Sequence, residues 1–181
     1  MKHHSIVVAL GASGRLDKNE LHDKSSQLTE LQLLDSDGQL NGGLGMTLSE
    51  LGARHVVPSE IGVDLVLIAA GVTAADTRIS RSSEAQDSWT RELDLYVPVS
   101  DPVLWSKQKL HVERMLRFLS GDRWRLYFRD RPAAAKILVT TPPELIKPDF
   151  DCVSLFSGGM DSFVGAIDLL AARRKPLFMS H

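Results

Sequence analysis

Cys152-Val153-Ser154-Leu155-Phe156-Ser157-Gly158-Gly159-Met160-Asp161-Ser162 is the stretch on which the reading of this chain turns. Its first five residues form a short apolar run that ends at two consecutive glycines, the pattern of a buried parallel strand entering a loop. From Phe163 to about Arg173 the sequence is amphipathic, with Val164, Ile167, Leu170 and Ala171 able to face a sheet, and Pro176–Ser180 reads as a second strand. Strand, glycine loop, helix and strand together open a βαβ unit. The chemistry of the loop points to phosphate. Glycines lack Cβ atoms, so backbone N–H groups can close on an anion, and the following helix adds its unpaired N–H groups and positive dipole end. Ser157 and Ser162 supply hydroxyl donors on either side, and Asp161 can hold a magnesium ion that bridges phosphate oxygens. The loop contains no lysine, so it is not the G-x-x-x-x-G-K-[ST] loop of Walker-type nucleotidases. Charge neutralisation then falls to Mg²⁺ or to bases elsewhere.

Upstream, the pattern predicts a strand at Ile6–Leu10 and a second at Thr29–Leu34, closed by the turn Asp35-Ser36-Asp37-Gly38. A short helix is expected over Thr47–Arg54 with Thr47 as N-cap, then a buried helix over Ile61–Ala75 and a polar connector over Thr77–Ser88. Leu93, Leu95 and Val97 alternate with Glu92, Asp94 and Tyr96, the two-residue period of a half-buried strand that Pro98 should end. Asp101-Pro102 opens a helix that runs to a stop at Gly121, with Leu104, Leu110, Met115, Phe118 and Leu119 expected on its inner face. Trp124, Leu126 and Phe128 then mark another strand. Pro132, Pro142, Pro143 and Pro148 make the stretch 132–148 an expected extended linker. The fold class expected is α/β: an α+β accessory domain over 1–148, then the start of a parallel α/β domain over 149–181.

The chain has 181 residues, 43% hydrophobic and 24% charged, with a formal net charge of −2. Those figures suit an ordinary globular core and argue against disorder or a strongly basic module. A single cysteine, Cys152, excludes an internal disulfide and a multi-cysteine zinc site, and in an apolar strand it reads as a small buried hydrophobe. The most apolar segment, Val63–Ala75, contains Asp64 and is well short of the roughly 20 residues of a membrane span. With no persuasive secretory signal, a cytoplasmic protein is expected. Gly11-Ala12-Ser13-Gly14 lacks the third glycine of a dinucleotide loop and reads as a hairpin or loop turn, and the six histidines show no metal spacing. Between Lys107 and Arg131 stand eight bases and three acids, interleaved with Trp124, Tyr127 and Phe128. That stretch is either a phosphate or nucleic-acid patch or, more simply, the solvated side of one helix and one strand.

Ser-Gly-Gly-x-Asp-Ser after an apolar strand resembles the PP-loop motif of the ATP pyrophosphatases. Chance matches to its five fixed residues arise on the order of once per 10⁶ start positions. Leu155–Ser162, Gly165–Leu170 and Pro176–His181 are similar to the QueC-like, 7-cyano-7-deazaguanine synthase-like members, and in particular to the QatC type of bacterial anti-phage defence clusters. Leu95–Pro102 and Leu119–Trp124 also resemble that group, so the similarity spans roughly 60–181. It implies a HUP-type α/β domain that binds Mg²⁺ and ATP and releases AMP and pyrophosphate as a carboxylate is adenylated. In the biosynthetic relative, the carboxylate is that of 7-carboxy-7-deazaguanine and ammonia is the acceptor. It also implies site residues: Ser157, Gly158, Gly159, Met160, Asp161 and Ser162 around the phosphates, with Asp161 as the catalytic and magnesium-holding carboxylate. The relatives' zinc-binding cysteines have no counterpart. With the sequence ending at His181, only the first βαβ of such a domain is expected, inactive and without micromolar ATP affinity by itself, and protease-sensitive beyond Pro142-Pro143 or self-associating. Two other readings stand beside the enzyme: a non-catalytic module that docks a protein encoded in the same operon around a remnant loop, and nucleic-acid binding through 107–131, which the charge balance disfavours. No membrane partner is expected.

Overall fold

A computed structural model describes residues 3–34, 40–41, 43–54, 56–84, 89–136, 138 and 149–180. Four strands form one sheet: β1 (His3–Ala9), β2 (Gln27–Gln32), β3 (Glu92–Val99) and β4 (Arg123–Asp130). Their order is β2-β1-β3-β4, and every pair is parallel, with Ile6 opposite Thr29 and Leu95, and Leu95 opposite Leu126. The protein is therefore α/β in this region too, not the α+β arrangement expected for 1–148. Helices α1 (Leu44–Ala53), α2 (Glu60–Arg78), the one-turn α3 (Arg81–Glu84) and α4 (Pro102–Ser120) fall between these strands. A second, two-stranded parallel sheet pairs β5 (Cys152–Leu155) with β6 (Pro176–Met179), joined by α5 (Met160–Ala171).

Parallel strands need crossovers, so the Gly11–Gly14 turn cannot close a hairpin. Instead 10–26 returns from β1 to β2 with only two short 3₁₀ turns, Ala12–Gly14 and Lys18–Glu20. That segment covers one sheet face, where Leu21 packs with Val7 and Tyr96 beside Leu16, Leu28 and Tyr127. The opposite face, with Ile6, Val8, Leu95, Val97 and Leu126, packs against Leu67, Ile68 and Ala75 of α2 and against Trp105 and Leu116 of α4. Gly71 lets α2 lie close, since a Cβ there would stand 2.6 Å from Leu95 Cδ1.

Coverage on both faces explains why β3 is buried along nearly its whole length and not half-buried as its alternation predicts. Its polar positions find partners: Asp94 accepts from Arg125 Nε at 2.6 Å, and Tyr96 stacks on Tyr127 with centroids 4.6 Å apart while its hydroxyl accepts from His22 N at 2.7 Å. Nor does Pro98 end the strand, which runs on to Val99 opposite Asp130. Proline has no N–H to give to Val8 on β1, and Arg129 from β4 supplies the replacement, with Nη2 donating to Val8 O at 2.7 Å and also to Gly14 O.

Charged clusters hold the two ends of α2. At its start Asp64, fully buried, accepts from Ser100 N at 2.9 Å and Trp105 Nε1 at 2.8 Å and pairs with Arg131. Beyond its end Arg91 and Asp122, 1% and 0% exposed, form a bidentate pair, while Arg91 Nη1 also donates to Ala75 O and Ile79 O at 3.2 and 2.6 Å.

Several expected boundaries move. Ser59, whose hydroxyl accepts from Gly62 N at 3.2 Å, caps α2, which runs on through Thr77 to Arg78. Helix α1 starts at Leu44 from Gly43 in the left-handed conformation, so Thr47 lies inside it and bonds back to Gly43 O. Asp101 does cap α4, accepting from Leu104 N at 2.9 Å, and Gly121 ends it at φ 73°. The inner face of α4 differs from the expected one: Trp105 and Leu116 are buried, while Phe118 and Leu119 are 89% and 70% exposed and Leu104, Leu110 and Met115 also face outward. Pro132–Ala135 is not extended linker, because Ala133–Ala135 forms a 3₁₀ turn and Ala135 joins the core. The turn at 35–38, the connector residues 85–88, Pro142, Pro143, Pro148 and His181 lie outside the described residues.

Candidate functional site

The 152–162 stretch folds as its pattern predicts, into a strand that enters a glycine loop and then a helix. β5 pairs in register with β6, Val153 opposite Leu177 and Leu155 opposite Met179, and Phe156 N extends the ladder to Met179 O at 2.8 Å. Asp151 ties the far end together. Its carboxylate accepts from Arg174 Nε at 2.8 Å and Lys175 N at 3.0 Å, and the Arg174 bond holds that carboxyl below the usual range. Neither residue stands out in sequence, because their roles depend on the return of the chain after α5. Arg173 makes that return in the left-handed conformation, at φ 56°.

Gly158 sits at φ 78°, a conformation that disfavours any side chain, although no atom within 4 Å would obstruct a Cβ. Gly159 is the N-cap of α5 and offers no side-chain acceptor. The helix begins at Met160, three residues before the expected Phe163, so Met160, Asp161 and Ser162 are its first turn. Their N–H groups lie among the orphan donors of the helix end. Ser162 Oγ donates to Gly159 O at 2.8 Å, and Ser157 Oγ reaches Ser162 Oγ at 3.3 Å, so the two hydroxyls meet across the loop. Asp161 is exposed and forms no hydrogen bond or ion pair with any described residue. All six predicted residues therefore share one exposed loop and helix start.

This arrangement can take a phosphate on backbone N–H groups, and on the two hydroxyls once they rotate away from Gly159 O and from each other, with Asp161 positioned at the same helix end. Magnesium commonly binds one or two carboxylates plus phosphate oxygens, and a single free carboxylate fits that demand. Among the described residues no group of three or more His, Cys, Asp or Glu side chains could hold a metal ion unaided. The Cys152 thiol is half-buried, and burial together with Asp151 raises its pKa, the opposite of an activated nucleophile. Apolar side chains around the unit are open to solvent, with Leu155 82% exposed and Val153, Phe163, Ile167 and Leu170 about half exposed.

The basic stretch 107–131 divides in two. Arg131 is buried against Asp64 and Glu60, and half-buried Arg129 is bound to carbonyls, so neither belongs to a surface patch. Arg125 is held by Asp94 and half-buried Lys109 lies over the Tyr127 ring, so Lys107, Arg114, Arg117 and Arg123 remain exposed on or beside α4.

Fold and loop together define an α/β protein with a four-stranded parallel sheet and a separate parallel βαβ unit carrying a glycine loop. No family model, curated protein or solved structure matches the chain. No helix among the described residues is long and apolar enough to cross a membrane.

Proposed function

We propose that the 152–179 unit is the phosphate-binding opening of a HUP-type PP-loop ATP pyrophosphatase domain, and that the protein is a QueC-like, QatC-type adenylating enzyme of anti-phage defence. In this reading it activates a carboxylate, that of a 7-deazapurine, with release of AMP and pyrophosphate. The observation that carries the reading is the convergence of Ser157, Gly158, Gly159 and Ser162 on the uncapped start of α5, between parallel strands. Such a helix end is suited to anions. Met160 contributes its N–H at the first helical position, and Asp161 would hold the Mg²⁺ that comes with ATP. When bound, Mg·ATP supplies the phosphoanhydride that is cleaved. The chain's own part is to fix the phosphates through backbone donors and two hydroxyls.

The test is pyrophosphate release from Mg·ATP by the protein as its own gene expresses it, in the presence of a carboxylated 7-deazapurine. Asp161→Ala and Ser157→Ala should each abolish release while leaving the far-ultraviolet circular dichroism spectrum unchanged, since both side chains are exposed. Release at wild-type rates in both variants would remove the assignment.

A second reading, partner docking, is favoured by the outward apolar side of α4, where Phe118 and Leu119 stand free. It expects Phe118→Asp/Leu119→Asp to abolish a complex with the product of the neighbouring gene, and a complex unaffected by that change would exclude it.

A further inference from the structure

Helix α4 lies along the outer edge of β4, and between them is a cavity of about 380 Å³. Glu113 joins the two by accepting Leu126 N–H at 2.8 Å. That N–H points away from β3, and alternation along the strand sends the N–H and C=O of Trp124 to the same outer side. Four arginines and two glutamates line the cavity, which leaves two positive charges in excess. The carboxylates are already engaged. Glu92 accepts from Arg123 Nη1 at 3.0 Å and pairs with His3, while Glu113 also lies 3.7 Å from Lys109. Arg125 is held by Asp94 through two bonds of 2.6 and 3.1 Å. The guanidinium groups of Arg114 and Arg117, one helical turn apart, have no hydrogen bond or ion pair with any described residue, and that of Arg123 commits only one nitrogen. Leu110 and Trp124 add apolar wall, and the indole is fixed by its bond to Ser120 Oγ at 2.8 Å.

We propose that this cavity binds a small phosphate ester, of the size and charge of a nucleoside monophosphate, with Arg114 and Arg117 gripping the phosphate, and Leu110 and the exposed edge of the otherwise buried Trp124 beside the ring. Guanidinium forks suit phosphate oxygens, and the volume lies in the range of small-ligand sites. A nucleic-acid strand is the poorer fit. It needs cations continued along the surface, and on the β4 side the basic track stops where Arg129 and Arg131 turn into the fold. The site is independent of the Ser157–Ser162 loop and of the reading given to it.

The experiment is titration of the ¹⁵N-labelled full chain with adenosine 5′-monophosphate, following the three indole N–H resonances, with Trp124 assigned through Trp124→Phe. Adenosine, which lacks the phosphate, and a ten-nucleotide single-stranded DNA are the comparison probes. The expected result is a saturable shift of the Trp124 resonance with the monophosphate and none with adenosine. Arg114→Gln and Arg117→Gln should each weaken binding by roughly tenfold or more, as loss of a charge-assisted bond does. Both residues are exposed, so the variants should keep the wild-type thermal midpoint. Ser157→Ala/Asp161→Ala should bind the monophosphate as wild type does, which separates this site from the loop. Four results would each overturn the proposal: no Trp124 shift at millimolar monophosphate, equal shifts with adenosine, binding lost in the loop variant but kept in the arginine variants, or arginine-dependent binding of the DNA alone.

Discussion

Asp122→Asn tests the account of how α2, β3 and β4 are held together. The wild-type carboxylate is completely buried and accepts five hydrogen bonds: two from Arg81 at 2.8 and 2.9 Å, and three from Arg91 through N, Nε and Nη2 at 3.0, 3.2 and 2.7 Å. Asparagine keeps the shape but removes the charge and points an NH₂ group at a guanidinium. Arg91, 1% exposed, keeps only Asp76 as a carboxylate partner, and Asp76 is itself largely exposed. Removing one member of a buried pair costs about 3–5 kcal/mol, a large share of a typical stability of roughly 5–15 kcal/mol. With a urea slope of about 2 kcal/mol per molar, the unfolding midpoint should fall by roughly 2 M. The pH dependence should change with it. Burial opposes the Asp122 charge, but the bonds from Arg91 and the charges of Arg91 and Arg81 outweigh it and hold the carboxyl below its ordinary value. A depressed folded-state pKa gives stability that is full above the unfolded value of about 3.9 and fades as pH falls through the lower folded value. Wild type should therefore lose stability across that acid window, and Asp122→Asn should show a shallower loss there. Equilibrium urea unfolding followed by tryptophan fluorescence, repeated from pH 2.5 to 7, measures both effects. A midpoint within 0.3 M of wild type at pH 7, on the order of 0.6 kcal/mol at that slope, would refute the claim that this pair clamps the fold.

Arg129→Met should destabilise by about 1–3 kcal/mol, because it strands the Val8 and Gly14 carbonyls. Pro98→Ala in the same chain should recover part of that loss by restoring a strand N–H for Val8; additive losses in the double variant would show that the arginine does not stand in for the missing amide. Tyr127 should titrate near pH 12, since burial and then Asp94 push its phenol up to about 12. Its raised folded value makes stability fall as pH climbs from about 10 through 12, and an ultraviolet difference titration in which both tyrosines ionise near 10 would contradict this. Glu113→Ala should accelerate hydrogen exchange at the Leu126 amide at least tenfold by freeing the β4 edge, with unchanged exchange excluding the capping role.

The elements with strong local signals were legible in the sequence. The β5 loop and its following helix, the Asp101-Pro102 start of α4, its Gly121 stop and the long apolar α2 all follow from adjacent residue types. What the sequence withheld is set by partners far along the chain. Nothing beside Arg91 indicates that Asp122 neutralises it, and Asp64 in an apolar helix is explained only by Ser100, Trp105 and Arg131. The inner side of α4 differs from the one its apolar residues predict because the helix packs Trp105 and Leu116 on the sheet face and also spans the edge of β4. Glu113 and Lys109, a bond acceptor for Leu126 and a cation 4.8 Å over the Tyr127 ring, occupy positions that a face-packed helix would give to apolar residues. Within the candidate site the residue types were legible but the start of α5 was not, because Met160 and Ser162 carry no capping signal once Gly159 takes that role.

The order β2-β1-β3-β4 places a topological switch between β1 and β3, where open parallel sheets ordinarily hold a ligand outside the carboxyl ends of their strands. Here that position is filled by the protein's own groups. Val8, Ala9 and Leu10 are no more than 1% exposed, and Arg129 bridges the Val8 and Gly14 carbonyls across Pro98. Gly14 is itself packed near Pro132, which a Cβ would approach to 3.5 Å. A proline near the carboxyl end of β3 leaves Val8 O without a strand amide. The arginine that supplies the missing donor also occupies the crevice, so stabilising the sheet and leaving a ligand site there are competing demands, and stability has prevailed. The groups proposed to take phosphate lie elsewhere: on the start of α5, and at Arg114 and Arg117 outside the β4 edge. Pro98→Ala/Arg129→Ala, which restores the strand amide while removing the guanidinium, should therefore leave the sheet folded and open space at the carboxyl end of β1. If the double variant gains no space there, by crystallography or by small-molecule probe binding, Arg129 is not what closes the crevice.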